Sequence, residues 1–143
     1  MQSFAPLACP NLVCYNVQSF PHVTVDWPHL SSVDPQRWHD DTAALLDMDT
    51  PFVLFVTDMP GDRKTRLGGP LKWYKVFHEA FGACCRAVIV IEADPSRRVM
   101  MRIDTPQLEK AFGTDVHMAP DREQAERLSQ RLLNTPPIPL SAR

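Results

Sequence analysis

Two uninterrupted apolar segments, residues 51–57 (PFVLFVT) and 86–91 (RAVIVI), mark the centre of the chain. Continuous apolar runs of this length are typical of strands that are covered on both faces of a sheet. A polar loop over residues 58–69 and a predicted helix over residues 70–84 separate them. Apolar side chains recur along that helix at spacings of three and four, which predicts one buried stripe: Leu71, Tyr74, Phe77, Phe81 and Cys84. This order predicts two parallel neighbouring strands joined by a right-handed helical crossover.

The N-terminal part of the chain shows the alternating pattern of a half-buried strand. Over residues 22–27 (HVTVDW), apolar and polar side chains alternate, which predicts one buried face and one polar face. A second β-rich run, residues 11–17 (NLVCYNV), precedes it, and four residues separate the two. A connection of that length suits a β-hairpin. We therefore expect the folded part of the chain to begin with two antiparallel strands.

Capping residues mark the predicted ends of the helices. Asp34 followed by Pro35 predicts a helix start, because aspartate accepts hydrogen bonds from free N–H groups and proline suits the first helical position. A helix over residues 106–112 should end at Gly113, since glycine adopts the left-handed conformation that closes a helix. Asp121 should cap the last helix of the chain.

The resulting element order, with a short strand at residues 114–118, is β-β-α-β-α-β-α-β-α. It predicts the α/β class, with a mixed sheet of about five strands in which an N-terminal hairpin precedes βα units and helices pack against the sheet. The 14 prolines are concentrated in the ends and the loops. We expect residues 1–10 and the proline-rich residues 135–143 to form extended tails around a single domain over residues 11–134.

The composition narrows the class of partner without naming one. The chain has 143 residues, of which 44% are hydrophobic, and a formal net charge of −2, so it has no overall field that would attract nucleic acid or anionic lipid. Residues 1–10 lack the basic start and the apolar stretch of a signal peptide. The longest apolar run is too short to span a bilayer. We therefore expect a cytoplasmic protein with no membrane span.

The spacing of cysteine and histidine offers no metal site or catalytic motif. Cys9, Cys14, Cys84 and Cys85 form no CxxC pair, so buried reduced thiols are the commoner explanation. A disulfide between Cys9 and Cys14 is the alternative in an oxidising compartment. The five histidines show no HxH or HExxH spacing, and no serine stands in a GxSxG motif. The sequence therefore predicts neither a metal nor a cofactor.

Three segments carry a family likeness. In PFVLFVTDMPG a strand ends in an acidic residue and a glycine-containing loop, and in LKWYKVFHEAFGACCRAVIVIEADP a helix ending in a basic residue leads into an apolar strand. FGTDVHMAPDREQAERL combines a short strand, a turn and a closing helix. Together they resemble the STAS fold of anti-sigma-factor antagonists, and more closely its SpoIIAA-like branch of small stand-alone proteins. Those antagonists carry a phosphorylatable serine or threonine after the central strand, whereas the loop here has no serine and its Thr65 stands in a basic run. The resemblance therefore implies a ligand-binding or protein-binding module without chemistry of its own.

The loop over residues 58–69 (DMPGDRKTRLGG) is the strongest candidate for a binding site. It joins the carboxyl end of a central strand to a helix N-terminus, a place where open sheets commonly bind ligands. A phosphate or carboxylate would meet free helix N–H groups and a backbone that glycine leaves accessible. The candidate ligand-binding residues are Asp58, Arg63, Lys64, Arg66, Gly68 and Gly69, together with Asp94 after the next strand. A solvated surface loop is the alternative, since the spacing matches neither the Walker loop nor the dinucleotide fingerprint.

Asp58 and Asp94 each follow a predicted central strand, so both should lie at one edge of the sheet. Two carboxylates in such a place can hold Mg²⁺ or divide acid and base roles, although acidic residues at strand ends more often cap the next turn or helix. The alternative function is therefore a small enzyme that acts on a phosphorylated or carboxylated substrate with these aspartates and the Arg63–Arg66 loop.

Trp73 lies off the predicted buried stripe of its helix. Large aromatic residues anchor partner surfaces, so Trp73 is an interface candidate, and partial cover by the preceding loop is the alternative. The sequence as a whole predicts a small non-enzymatic regulatory or binding module. Its partner would be a protein or a small anionic or apolar ligand, and a homodimer formed through edge strands or the Trp73 surface is a third arrangement.

Overall fold

The structure is a computed structural model, and it describes residues 12–134. The strands are β1 (His22–Asp26), β2 (Phe52–Thr57), β3 (Cys85–Ile91) and β4 (Val116–Ala119). The first helices are α1 (Trp27–Ser32), α2 (Pro35–Asp47), α3 (Arg63–Arg66) and α4 (Pro70–Val76). The remaining helices are α5 (His78–Cys84), α6 (Pro95–Arg102), α7 (Thr105–Phe112) and α8 (Arg122–Asn134). The predicted tails lie outside the described residues, as does Cys9.

The sheet is parallel throughout, and its strands stand in the order in which they occur in the chain. The two apolar segments are neighbours in its middle, with Leu54 of β2 opposite Val88 of β3, as the sequence predicted. The expectation of a mixed sheet of about five strands was wrong, since four strands form this sheet within residues 12–134. The α/β class is confirmed.

The missing strand is the predicted first arm of the hairpin. Residues 12–17 make a single antiparallel bridge, from Asn16 to Thr24 of β1, and no ladder beyond it. The backbone N–H groups of Val13 and Cys14 donate instead to the carboxylate of Asp41 on α2, each at 2.9 Å. Because a side chain far along the chain satisfies these N–H groups, the segment packs beneath α2 and does not extend the sheet.

Each face of the sheet is covered by different helices. Successive right-handed crossovers between neighbouring strands carry the connecting helices to the same face. There Leu54 and Val56 pack in a core whose aromatic side chains come from the connecting helices: Trp27, Trp38, Tyr74, Phe81 and Phe112. On the other face Val53, Phe55 and Ile89 pack against α8. The alternation of β2 between these two cores explains why all five residues from Phe52 to Val56 are buried.

The predicted helix ends are largely confirmed. Asp34 accepts a hydrogen bond from Gln36 N, and Asp121 accepts one from Gln124 N at 2.8 Å. Gly113 closes α7 with a left-handed φ of 77°. Trp27 is a correction, because it begins α1 and does not end β1, although its side chain is buried as predicted.

The single helix expected over residues 70–84 is two helices. The break lies at Phe77, whose backbone N–H donates to Tyr74 O at 2.9 Å, closing α4 before α5 begins. The predicted stripe still faces the core, since Leu71, Tyr74 and Phe81 are buried. Helix α5 places Gly82 directly against the backbone of Gly113 at the end of α7.

The cysteines of the described region are free thiols. Cys14 and Cys85 are buried, and burial raises the pKa of each to about 12. Cys84 is half-buried, and burial also raises its pKa. The prediction of buried reduced thiols is therefore confirmed for Cys14 and Cys85.

Candidate functional site

The carboxyl end of the sheet positions the candidate site. The chain leaves β2 at Asp58 and β3 at Glu92, and because these strands are parallel neighbours both exits lie at the same edge. Beyond these exits the chain forms two short helices, α3 and α6. Asp62 starts α3 by accepting from Thr65 N at 2.9 Å, and Asp94 starts α6 by accepting from Ser96 N at 3.1 Å.

A buried ion pair fixes α3 to the rest of the molecule. Arg66 and Asp104 are 3% and 1% exposed, and the Arg66 guanidinium donates to the Asp104 carboxylate through both Nε and Nη2. Its Nη1 donates to the carbonyl oxygens of Pro60 and Gly61 at 3.0 and 2.9 Å. Arg63 completes the group, with its Nε 2.7 Å from the other Asp104 oxygen. A fork-shaped guanidinium with this many bonds in place is a structural anchor for the loop.

The charge of Asp104 is stabilised by these arginines. Burial alone would raise the pKa of Asp104, but the hydrogen bonds from Arg66 and Arg63 and their positive charges outweigh it and hold the pKa below its ordinary value. The carboxylate is therefore ionised at neutral pH. Arg66 uses four of its five N–H donors in these bonds and is buried, whereas the side chain of Arg63 is 62% exposed.

An open depression of about 350 Å³ lies between α3 and α6. We name it the α3–α6 groove, and its lining comes from both helices and the segments that flank them: Gly61, Asp62, Arg63, Arg66, Ser96, Arg97, Met100, Met101, Ile103 and Asp104. Its volume falls at the lower end of the range of small-ligand sites.

Helix α6 exposes apolar side chains beside this groove. Val99, Met100 and Ile103 are 57%, 60% and 65% exposed, whereas Met101 is the residue that α6 buries in the core. The spacing of three and four places these exposed side chains on neighbouring positions of one helix surface. Apolar side chains gathered in this way beside a concavity mark a contact surface more often than scattered ones do.

The α3–α6 groove is also the basic side of an acidic chain. Residues 59–66 and 95–104 contain six of the 15 basic residues and two of the 17 acidic residues. The carboxylates of Asp104 and Glu92 pair with Arg66 and Arg97 respectively. Within residues 12–134, no carboxylate lies within ion-pair distance of Lys64 or Arg102. These two cations are therefore available to a partner.

Carboxylates gather at the same sheet edge, but on the side of β1. Asp58 has a left-handed φ of 56°, and its carboxyl group lies within hydrogen-bonding reach of Asp26. The contact with Asp26, with smaller contributions from desolvation and the charge of Glu92, raises the pKa of Asp58. Asp26 also accepts from Thr57 Oγ1 at 3.1 Å.

Asp58 and Asp94, the predicted pair of carboxylates, have different immediate partners. Asp94 is exposed and caps α6, while Asp58 is associated with Asp26. Neither aspartate lines the α3–α6 groove that Arg63 enters. The enzyme hypothesis needs both aspartates in one concavity with the basic loop, and the lining of this groove includes neither of them.

The remaining predicted residues lie around the start of α4. Gly69 precedes α4 with a φ of 52°, a left-handed value that favours glycine. Lys64 lies earlier, on α3, and its side chain is exposed. Gly68 accepts from Leu71 N at 3.2 Å. Trp73 is half-buried, and its ring packs against Trp38 of α2 with centroids 5.7 Å apart.

Sequence reasoning missed Arg97, Met100, Ile103 and Asp104. The mixture of basic and apolar side chains in residues 97–103 (RRVMMRI) is the signal that could have located this surface. The role of Asp104 had no local signal, because its partner Arg66 lies 38 positions earlier in the chain.

Comparison of the chain with protein-family models, with curated proteins and with solved structures finds no match. Within residues 12–134, none of the helices has the length and apolar character needed to cross a membrane. In that same stretch, no three histidine, cysteine or acidic side chains stand together in a way that would hold a metal ion.

Proposed function

We propose that the chain is a small non-enzymatic binding module of the STAS type, whose contact surface is the α3–α6 groove. The observation that carries this proposal is the lining of the groove. Exposed Met100 and Ile103 stand beside the arginines there, and Asp58 and Asp94 lie outside it. A concavity that combines exposed apolar side chains with cations, and whose carboxylates are engaged in helix capping and ion pairing, is suited to recognition.

The STAS assignment draws on the order of elements around the central strands. The βα unit formed by β2, α4, α5 and β3, followed by a closing strand and helix, agrees with the segments that resemble the SpoIIAA-like branch. The structure departs from this order at the N-terminus, where the hairpin expected from the sequence is reduced to one bridge made by Asn16. In place of a phosphorylatable serine, the loop after β2 supplies the basic wall of the groove.

The enzyme hypothesis has weaker support. It requires Asp58, Asp94 and the basic cluster around one substrate. Asp94, however, caps α6, and Arg66 is hydrogen-bonded to Asp104. An acid–base pair must converge on the same reacting atom. The lining of the α3–α6 groove includes neither Asp58 nor Asp94, which favours recognition over acid–base chemistry there.

A thermal-shift screen of anions, nucleotides, acyl compounds and metal ions tests the proposal. It compares wild type with Ile103→Ser, which alters the groove at an exposed position, and with the matched control Val76→Ser, which alters an 81% exposed valine on α4. A ligand at about 100 times its Kd stabilises a protein by about 2.7 kcal/mol, which corresponds to several degrees in Tm.

We expect at least one compound to stabilise wild type and Val76→Ser by several degrees and Ile103→Ser by clearly less. Equal stabilisation of all three proteins by every active compound would place the binding surface elsewhere. Turnover of a screened compound that disappears in Asp58→Asn would favour the enzyme instead.

A further inference from the structure

We propose that the α3–α6 groove binds an acidic peptide segment that carries large apolar side chains, presented by a partner protein. This inference rests on the proposed function and names the class of partner. It combines two independent properties of the groove, its charge and its exposed apolar surface.

The charge of the groove selects an acidic partner. The segments that form and flank the walls, residues 59–66 and 95–104, hold six basic and two acidic residues in a chain that is otherwise acidic. Both acidic side chains of the lining are engaged, since Asp62 accepts from Thr65 and Asp104 is bound by Arg63 and Arg66. Lys64 and Arg102 are chain neighbours of lining residues and do not line the groove themselves. They have no carboxylate within ion-pair distance among residues 12–134, so a partner carboxylate at the rim would gain their attraction without displacing an internal bond. Complementary charge of this kind sets orientation and association rate.

The apolar part of the groove selects for hydrophobic side chains in the same segment. Met100 and Ile103 are exposed within the lining, and Val99 extends this surface along α6. Burying such side chains against a partner removes apolar surface from water, which favours the complex. Methionine is unbranched and adapts its shape to different partners, which suits recognition of a short segment.

A peptide fits this surface better than a lipid bilayer does. The apolar side chains border a concave depression, whereas helices that lie on membranes present a continuous apolar face that enters the interface. Helix α6 has eight residues, and its sequence contains no aromatic side chain to insert. The concavity therefore points to a protruding chain as the occupant.

The test uses fluorescence anisotropy with a labelled peptide of about twelve residues that repeats Asp-Glu-Leu-Phe. Two further peptides serve as probes: one with Lys and Arg in place of the acids, and one with Ser in place of Leu and Phe. The protein variants are Ile103→Ser, the double variant Lys64→Gln/Arg102→Gln, and the control Val76→Ser.

We expect micromolar affinity for the acidic apolar peptide and about tenfold weaker binding by Ile103→Ser, the size of effect that loss of a central interface side chain produces. The double variant should bind about threefold to tenfold more weakly and show a smaller dependence on salt concentration. Val76→Ser should bind like wild type. Amide shifts in a ¹⁵N-resolved spectrum should be confined to α3, α6 and the segments that flank them.

Several results would overturn the inference. These are equal binding of the charge-swapped or serine peptides, unchanged binding by Ile103→Ser, and co-sedimentation with phosphatidylserine vesicles that Ile103→Ser abolishes. A dimer detected by light scattering that Ile103→Ser dissociates would assign the groove to a second copy. If the peptide fails while a screened compound still distinguishes wild type from Ile103→Ser, the peptide inference is wrong and the proposed function stands. If no compound distinguishes them either, both are wrong.

Discussion

At the scale of single residues, the arginines of the loop after β2 divide into two roles that the sequence does not distinguish. Arg66 is buried and bound to Asp104, whereas Arg63, three positions earlier, is largely exposed while sharing the same carboxylate. The sequence predicted a basic loop at the right sheet edge. Which of the two arginines is structural could not be predicted, because the partner carboxylate, Asp104, lies outside the loop.

Removal of Asp104 should be severely destabilising. Asp104→Ala leaves Arg66 buried without a counter-charge, and breaking a buried pair from one side costs about 3–5 kcal/mol in the free energy of unfolding. Urea denaturation measures this loss, with exposed Asp47→Ala as the control, expected within about 0.5 kcal/mol of wild type. A loss below about 1 kcal/mol for Asp104→Ala would mean that the pair does not hold α3 in place. Asp104→Asn, which keeps the side-chain size, should fall between the two.

The acid sensitivity of the fold should follow from the same pair. The folded-state pKa of Asp104 is depressed, so its contribution to stability is complete above the ordinary aspartate pKa and is lost as the pH falls through the lower, folded-state value.

Asp58 should show the opposite dependence on pH. Its folded-state pKa is raised, so its ionisation lowers stability as the pH rises above the ordinary aspartate range. Asp58→Asn keeps a residue that tolerates a left-handed φ and removes the repulsion from Asp26. Since solvent screens this exposed site, we expect a rise in Tm of only about 1–2 °C at neutral pH.

Differential scanning fluorimetry across pH measures this effect. The difference between Asp58→Asn and wild type should vanish near about pH 3, where the carboxyl group is protonated in both the folded and unfolded states. Asp47→Asn is the control, with no change at either pH. A Tm for Asp58→Asn that is lower than wild type at neutral pH would show that the carboxylate is stabilising.

At the scale of elements, the sequence predicted the helix ends that depend on hydrogen bonds between residues close in the chain. The caps at Asp34 and Asp121 and the closing Gly113 follow from hydrogen bonds within a few residues, so the sequence located those helix ends. The hairpin failed for the converse reason. Asp41 lies 27 positions from Cys14 and takes the backbone N–H groups that a neighbouring strand would have used.

The close approach of α5 to the end of α7 is a tertiary feature that can be tested. At Gly82 a Cβ atom would overlap the carbonyl oxygen of Gly113, so α5 reaches this position only with a glycine there. Gly82→Ala should lower the free energy of unfolding by about 1–3 kcal/mol, although alanine normally stabilises a helix relative to glycine. Chemical denaturation against Ala83→Ser, an exposed change in the same helix, measures it. A stabilising Gly82→Ala would show that the two helices do not approach so closely.

At the scale of the whole molecule, the arrangement of the central strands determines where a binding surface can form. Parallel β2 and β3 were predictable because an apolar run that is covered on both faces has few other places in an α/β fold. Their common carboxyl edge was predictable for the same reason. The side chains that α6 exposes at that edge could not be predicted, because a hydrophobic pattern normally indicates a buried face and α6 presents apolar residues outward.

The most direct test of the account is a map of where a ligand contacts the protein. The compound of the thermal-shift screen that stabilises wild type most strongly would be titrated into ¹⁵N-labelled wild type, Ile103→Ser and an Asp58→Asn/Asp94→Asn double variant. The account predicts amide shifts centred on residues 61–66 and 96–104, affinity reduced by about tenfold in Ile103→Ser, and affinity retained in the aspartate variant. Shifts centred on Asp26, Asp58 and Asp94, with affinity lost in the aspartate variant and kept in Ile103→Ser, would contradict it.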